Sequence, residues 1–237
     1  MSVILKVRGL SCGYRRLVVV RDVSFEVGEN EVVALIGANG AGKTTILKSI
    51  CGLVSISEGE IWFLDRRIDS LRTFEIAEMG LILVPEGRKL FPSMNVIENL
   101  EVGACLRTAR VKMENNFEKI FSLFPILKKR THQVAGRLSG GEQTMLAVAR
   151  GLMANPKLFV LDEPSLGLAP LITEELFNTL RQICTAGLSV LLSEQNVHQA
   201  LSIANRGYVL ELGHIKFSGD SGKLKDDDQV RRAYLGL

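Results

Sequence analysis

The sequence predicts an α/β fold: a mostly parallel sheet with an antiparallel β patch, interrupted by an inserted helical subdomain. Three observations carry that prediction. Short β-branched runs recur along the chain, and several are apolar throughout, which suits strands covered by helices on both faces. The first runs alternate more and sit close together, which suits antiparallel pairing. From Val96 to Ala154 the pattern is helical and shows no convincing strand.

The expected strands are Ile4 to Val7, Val23 to Val27, Val32 to Ile36, Ile61 to Leu64, Leu81 to Val84, Leu158 to Leu161, Val190 to Leu192 and Tyr208 to Leu212. Residues 1–237 read as one domain, with the helical insertion at roughly residues 85–156. Pro156 marks re-entry to the core, since proline ends helices. No internal repeat and no low-complexity segment interrupts this order.

Composition narrows the class. At 237 residues and 46% hydrophobic content, the chain can bury a sizeable core. Net charge is +3 with no face-long Lys/Arg run, so no nucleic-acid partner is expected. Lys128 to Arg130, the densest basic cluster, reads as a solvated helix end. No apolar run approaches the ~20 residues a membrane-spanning helix needs. The start, MSVILKVRGL, lacks the basic and long apolar regions of a secretory signal. Cys12, Cys51, Cys105 and Cys184 are scattered, which suits free thiols in a reducing compartment. His132, His198 and His214 stand alone, so no His/Cys metal site is expected.

The strand ending at Ile36 runs into GANGAGKTT, Gly37 to Thr45, which fits G-x-x-x-x-G-K-[ST] without mismatch. Such a loop curls backbone N–H groups around phosphate oxygens. Gly37, Asn39, Gly40, Ala41, Gly42, Lys43, Thr44 and Thr45 are therefore the expected phosphate-binding residues. Lys43 places a mobile positive charge on the outer phosphates, and the Thr44 hydroxyl can ligate Mg²⁺. A helix expected over Lys43 to Leu53 points its positive end at the anion. A core of the phosphate-loop ATPase type is therefore expected.

A second acidic site follows the apolar run in KLFVLDEPS, Lys157 to Ser165. In a phosphate-loop protein one such acid is expected to hold Mg²⁺ through water and the other to activate the attacking water, so Asp162 and Glu163 are candidates for these two roles. The plainer alternative is a pair of turn residues closing a strand.

RLSGGEQTMLAVARGLM, Arg137 to Met153, opens an amphipathic helix. Ser139 and Glu142 form a capping box. Capping does not account for Gly140 and Gly141 in the first turn, where glycine costs about 1 kcal/mol relative to alanine. Close backbone approach to a ligand does.

With Leu138, Ser139, Gly140, Gly141, Glu142 and Gln143 lying between the phosphate loop and the acidic strand, the chain resembles the ATP-binding cassette (ABC) family along essentially its whole length. The resemblance implies ATP and Mg²⁺ as cofactors. It also implies a head-to-tail pair with a second ATP-binding subunit, the same chain or a longer sister. In that pair Ser139, Gly140, Gly141 and Glu142 cap the nucleotide held by the partner. Tyr14 matches the aromatic that stacks on adenine; a tyrosine packed at a strand edge is the alternative. Leu83 to Leu100 matches the segment linking the core to the helical subdomain, where the family usually has a glutamine that touches Mg²⁺ and senses the transport partner, and Pro170 suits the first turn of the helix after the acidic strand.

Four positions depart from the family's commonest form: Glu86 for glutamine, Glu142 for the last signature residue, Leu168 for aspartate and Gln195 for histidine. Glu86 adds acid near a polyanion; Mg²⁺ or Arg88 could compensate it. Gln195 can donate a hydrogen bond to the terminal phosphate but does not titrate near neutrality. The expected metal-associated residues are Thr44, Glu86 and Asp162, and the expected catalytic residues Glu163, Gln195 and Lys43.

VPEGRKLF, LSGGEQ, DEPSLGLAP, SEQN and RGYVLELG together resemble the shorter ATPase of branched-chain amino acid importers. That resemblance implies permease subunits in the membrane, a substrate-binding protein acting indirectly, and a peripheral location on the cytoplasmic face of the cell membrane. Importers of urea or short amides, soluble ABC ATPases of DNA repair or translation, and a regulator without turnover remain as alternatives.

Overall fold

The computed structural model describes residues 2–15 and 17–230. Two sheets lie at its centre. An antiparallel sheet has the order β2-β1-β4-β5, with β1 spanning Val3–Tyr14, β2 Leu17–Gly28, β4 Ile56–Phe63 and β5 Arg66–Arg67. A six-stranded sheet has the order β10-β9-β3-β8-β7-β6. Its strands are β3 (Val32–Ile36), β6 (Leu81–Val84), β7 (Leu158–Asp162), β8 (Ser189–Glu194), β9 (Arg206–Glu211) and β10 (His214–Asp220). It is parallel from β9 to β6, and β10 pairs antiparallel with β9.

The parallel strands carry apolar runs, uninterrupted in β3 and β6, because the sheet is covered on both faces. All five residues of β3 are buried. Val32, Ala34 and Ile36 join one hydrophobic core with the helices, while Val33 and Leu35 join a second core with the antiparallel sheet and α1 (Lys43–Ile50). Strand alternation thus splits one run between two cores. The α2 helix (Thr73–Glu78) leads into β6.

Between β6 and β7 the chain is helical: α3 (Val96–Gly103), α4 (Arg107–Arg110), α5 (Met113–Leu123), α6 (Pro125–Lys129), a 3₁₀ turn at Ala135–Arg137, and α7 (Gly140–Met153). Met145, Leu146, Val148 and Ala149 of α7 are buried in the helical core. Beyond β7 come α8 (Pro170–Thr185), opened by Pro170 at N1, then α9 (Val197–Ile203) between β8 and β9, and α10 (Ser221–Asp226) and α11 (Asp228–Val230).

The structure departs from the expected boundaries at several ends. The α1 helix stops at Ile50 rather than Leu53, because the chain turns left-handed at Gly52 (φ +70°). Leu64 and Leu212 lie in turns with φ +52° and +47°, past the strand ends. The strand β10 was not expected: its residues alternate exposed and half-buried, and it pairs with a single neighbour.

Candidate functional site

The C-terminal ends of β3, β7, β8 and β6 gather on one edge of the parallel sheet, where open α/β sheets bind ligands. The phosphate loop leaves β3 there and enters α1 through Gly42, whose φ of +109° is disfavoured for any side chain. Lys43 is buried. Its Nζ donates to Gly37 O at 2.7 Å and Ala38 O at 3.0 Å. It also forms an ion pair with Glu163 Oε1 at 2.9 Å. Glu163 is itself buried and adopts a left-handed backbone (φ +46°), held by bonds from its N–H to Ser193 O and Ser193 Oγ, each 3.1 Å. A strained residue that its neighbours fix this firmly is a mark of a working site.

Asp162 ends β7 almost wholly buried. Its Oδ1 accepts from Thr44 Oγ1 at 3.0 Å and Ser193 Oγ at 2.7 Å. Its Oδ2 is buried without any hydrogen-bond partner among the described residues. An unpartnered buried acceptor is costly. A hard cation or its bound water would satisfy it, and the carboxylate and hydroxyl oxygens are the donor set Mg²⁺ favours. The residues present therefore fit Mg²⁺.

A cavity of about 250 Å³ brings together Asn39, Gly40, Gly42, Lys43, Thr44, Thr45, Glu86, Glu163, Val19 and Leu166. Glu86 thus meets the phosphate loop, although it arrives from the end of β6. Arg88 does not compensate its charge. The guanidinium donates to Gln143 Oε1 (2.9 Å) and Thr144 Oγ1 (3.1 Å) on α7 instead.

Tyr14 and Gln195 do not line this cavity. Tyr14 is exposed at the end of β1, just before the hairpin into β2, the strand that supplies Val19. Gln195 is exposed after β8. It stands beside the loop's origin, because the carbonyl of neighbouring Glu194 accepts from Gly37 N at 3.4 Å. Asn196 caps α9 through a bond to Gln199 N.

The signature turn lies apart from the cavity. Ser139 Oγ accepts from Glu142 N (3.3 Å), and Glu142 Oε2 accepts from Ser139 N (2.9 Å), which completes the capping box. Arg130 Nε lies 2.8 Å from Glu142 Oε1. Glu142 is therefore neutralised within its own chain. The two glycines also have neighbours in the same chain. A Cβ on Gly140 would stand 3.0 Å from the Arg88 guanidinium, and one on Gly141 would stand 2.5 Å from Ile172 Cγ2. Leu168 packs against the helical core.

Sequence reasoning missed three contributors: Arg88 as a strap, Ser193 and Glu194. Ser193 touches both acids of the site. Glu194 accepts from Ser165 N (3.1 Å) and Ser165 Oγ (2.9 Å), and burial pushes its carboxyl up to about 7. The signal available was two polar residues, Ser193 and Glu194, following the apolar run Val190 to Leu192 in SVLLSE.

With this geometry in place, likeness to known proteins fixes the class. Residues 20–166 match the ABC transporter family, and the chain belongs to it. It is an ABC ATPase subunit, which binds and hydrolyses ATP. It is 44% identical over 227 residues to the high-affinity branched-chain amino acid transport ATP-binding protein BraG of Pseudomonas aeruginosa, covering 96% of this chain and 97% of that one. It is 37% identical over 240 residues to the lipopolysaccharide export system ATP-binding protein LptB of Acidithiobacillus ferridurans, covering 100% and 98%. The crystal structure of the ADP conformation of an ATP-binding cassette of an ABC transporter superposes with a TM-score of 0.85 over 100% of both chains, at 27% identity.

Proposed function

We propose that this chain is the ATP-hydrolysing subunit of a membrane importer whose cargo is branched-chain amino acids. The observation that carries the cargo is its 44% identity to BraG along nearly the full length of both chains. No described helix is long and apolar enough to cross a membrane. A peripheral seat on the cytoplasmic face, against permease subunits fed by a substrate-binding protein, fits such a chain. Residues 85–156 act as its helical signature subdomain.

In the proposed mechanism, Lys43 and the amides of residues 37–45 bind the phosphates. Thr44 and Asp162 would hold Mg²⁺, with Glu86 beside them; the ion would neutralise charge that develops on the phosphate oxygens. Glu163 takes the proton of a water whose oxygen attacks the γ-phosphorus, and the bond to the β–γ bridging oxygen breaks to leave ADP and phosphate. Lys43 Nζ lies 2.9 Å from Glu163 Oε1, so a phosphate that engages Lys43 would compete with this pair and leave the Glu163 carboxylate available as the base. Gln195 donates to the terminal phosphate, Tyr14 stacks on adenine, and Ser139 to Glu142 of a second ATP-binding subunit close the site.

The test is uptake of labelled leucine by cells lacking this chain, restored with the wild-type protein or with Lys43→Ala. The reading predicts that wild type restores uptake and Lys43→Ala does not. The 37% identity to LptB supports a second reading, lipopolysaccharide export. Unchanged leucine uptake with lipopolysaccharide missing from the outer membrane would favour it. Loss of urea uptake alone would point to short amides.

A further inference from the structure

We propose that Arg88 is a positioning residue that straps the loop bearing Glu86 to the first turn of α7, and so makes turnover at one nucleotide site depend on the other. The inference rests on the paired-cassette reading above.

The loop after β6 has an unusual backbone. Gly87, Arg88 and Lys89 are left-handed in succession, with φ of +77°, +64° and +45°. Two non-glycine residues in a row hold that conformation only where their surroundings over-determine it. The surroundings here are α7. Arg88 Nη1 donates to Gln143 Oε1 (2.9 Å) and Nε to Thr144 Oγ1 (3.1 Å). Both acceptors are themselves fixed: Thr144 Oγ1 donates to Gly140 O and Gln143 Nε2 to Ala135 O. The Arg88 carbonyl accepts from Arg150 Nη2 (3.4 Å), two turns further along the same helix face. Arg150 lies over the Phe91 ring at 5.5 Å, which ties down the end of the loop.

Gly140 makes room for the strap. A Cβ there would stand 3.0 Å from Arg88 Nη2. Lysine could not replace arginine, since it lacks the planar fork that serves two acceptors at once.

The strap's two ends serve different nucleotides. Glu86, two residues before Arg88, lines the cavity with Lys43 and Glu163 of its own chain. Ser139, the cap of α7, faces a partner's nucleotide in the paired reading. A shift of Glu86 on nucleotide binding is therefore carried through Arg88 to the turn that closes the other site.

The experiment uses the full chain and four variants: Arg88→Ala, Arg88→Lys, Gln143→Ala and the Arg88→Ala/Gln143→Ala double variant. Affinity for a fluorescent ATP analogue is measured without Mg²⁺, and ATP turnover is measured against ATP concentration with it. Each variant should bind the analogue as wild type does, lose about tenfold in kcat, and show a Hill coefficient falling from about 2 toward about 1. The double variant should be no worse than either single, because both cut one strap. Arg88→Lys should fail to rescue. Wild-type cooperativity that survives Arg88→Ala overturns the inference alone, as do additive losses in the double variant or a nucleotide affinity that falls in step with kcat. A wild-type chain that hydrolyses ATP without cooperativity overturns the paired reading, and the inference with it.

Discussion

The edge of the parallel sheet and the first turn of α7 handle polar groups in opposite ways. At the sheet edge, Lys43, Asp162, Glu163 and Glu194 are all buried, and one carboxylate oxygen of Asp162 has no partner among the described residues. At the turn, Ser139 and Gly140 are exposed and the capping box satisfies its own members. The first region stores unmet electrostatic demand, which a nucleotide and cation would answer. The second makes no such demand and is stable alone, as expected of a surface completed by docking. Under the proposed function, buried charge marks the chemistry, and the satisfied, glycine-lined turn is the surface that would close on a partner's nucleotide.

The largest break in that comparison comes from Lys43→Ala. It leaves Glu163 buried and unpaired, so ATP turnover should fall by about a hundredfold or more while thermal stability without nucleotide also drops. Turnover by phosphate release and melting by circular dichroism would check both.

At the first turn of α7, the two glycines should part company. Gly141→Ala drives a Cβ to 2.5 Å from Ile172 Cγ2 and should cost about 1–3 kcal/mol, partly restored by adding Ile172→Ala. Gly140→Ala crowds the end of the Arg88 side chain at 3.0 Å but gains about 1 kcal/mol of helix propensity, so its net loss in denaturant melts should be the smaller of the two.

Glu194 gives the sheet edge a pH signature. Burial, with the Glu163 charge adding to it, raises its carboxyl from 4.5 to about 7 despite the Ser165 bonds. Between those values the folded chain holds a proton that the unfolded chain has lost, so this contribution to stability falls as pH rises and levels off above about 7. Glu194→Gln should flatten that slope and be more stable at pH 8 by on the order of 1–3 kcal/mol, measured by urea midpoints across pH.

Glu142→Ala should cost about 1 kcal/mol, from the lost capping bond and the Arg130 pair, read from the same denaturant midpoints.

The sequence made the sheet edge legible because its residues sit at fixed spacings in one loop and one strand. Gly37 to Thr45 and Asp162 were recognisable from local pattern, and the apolar runs of β3 and β7 from their burial on both faces. What escaped depends on distance in the chain. Arg88 meets Gln143 and Thr144 across more than fifty residues. Ser193 and Glu194 acquire meaning when β8 lies beside β7. The edge strand β10 escaped for the opposite reason: its half-exposed residues leave no apolar run to read.

The most direct test of the buried cluster is Glu163→Gln, assayed for ATP binding and for turnover in the same preparation. The account predicts ATP binding at least as tight as wild type, with Mg²⁺-dependent phosphate release lowered by about a hundredfold or more. Wild-type turnover in that variant would contradict it.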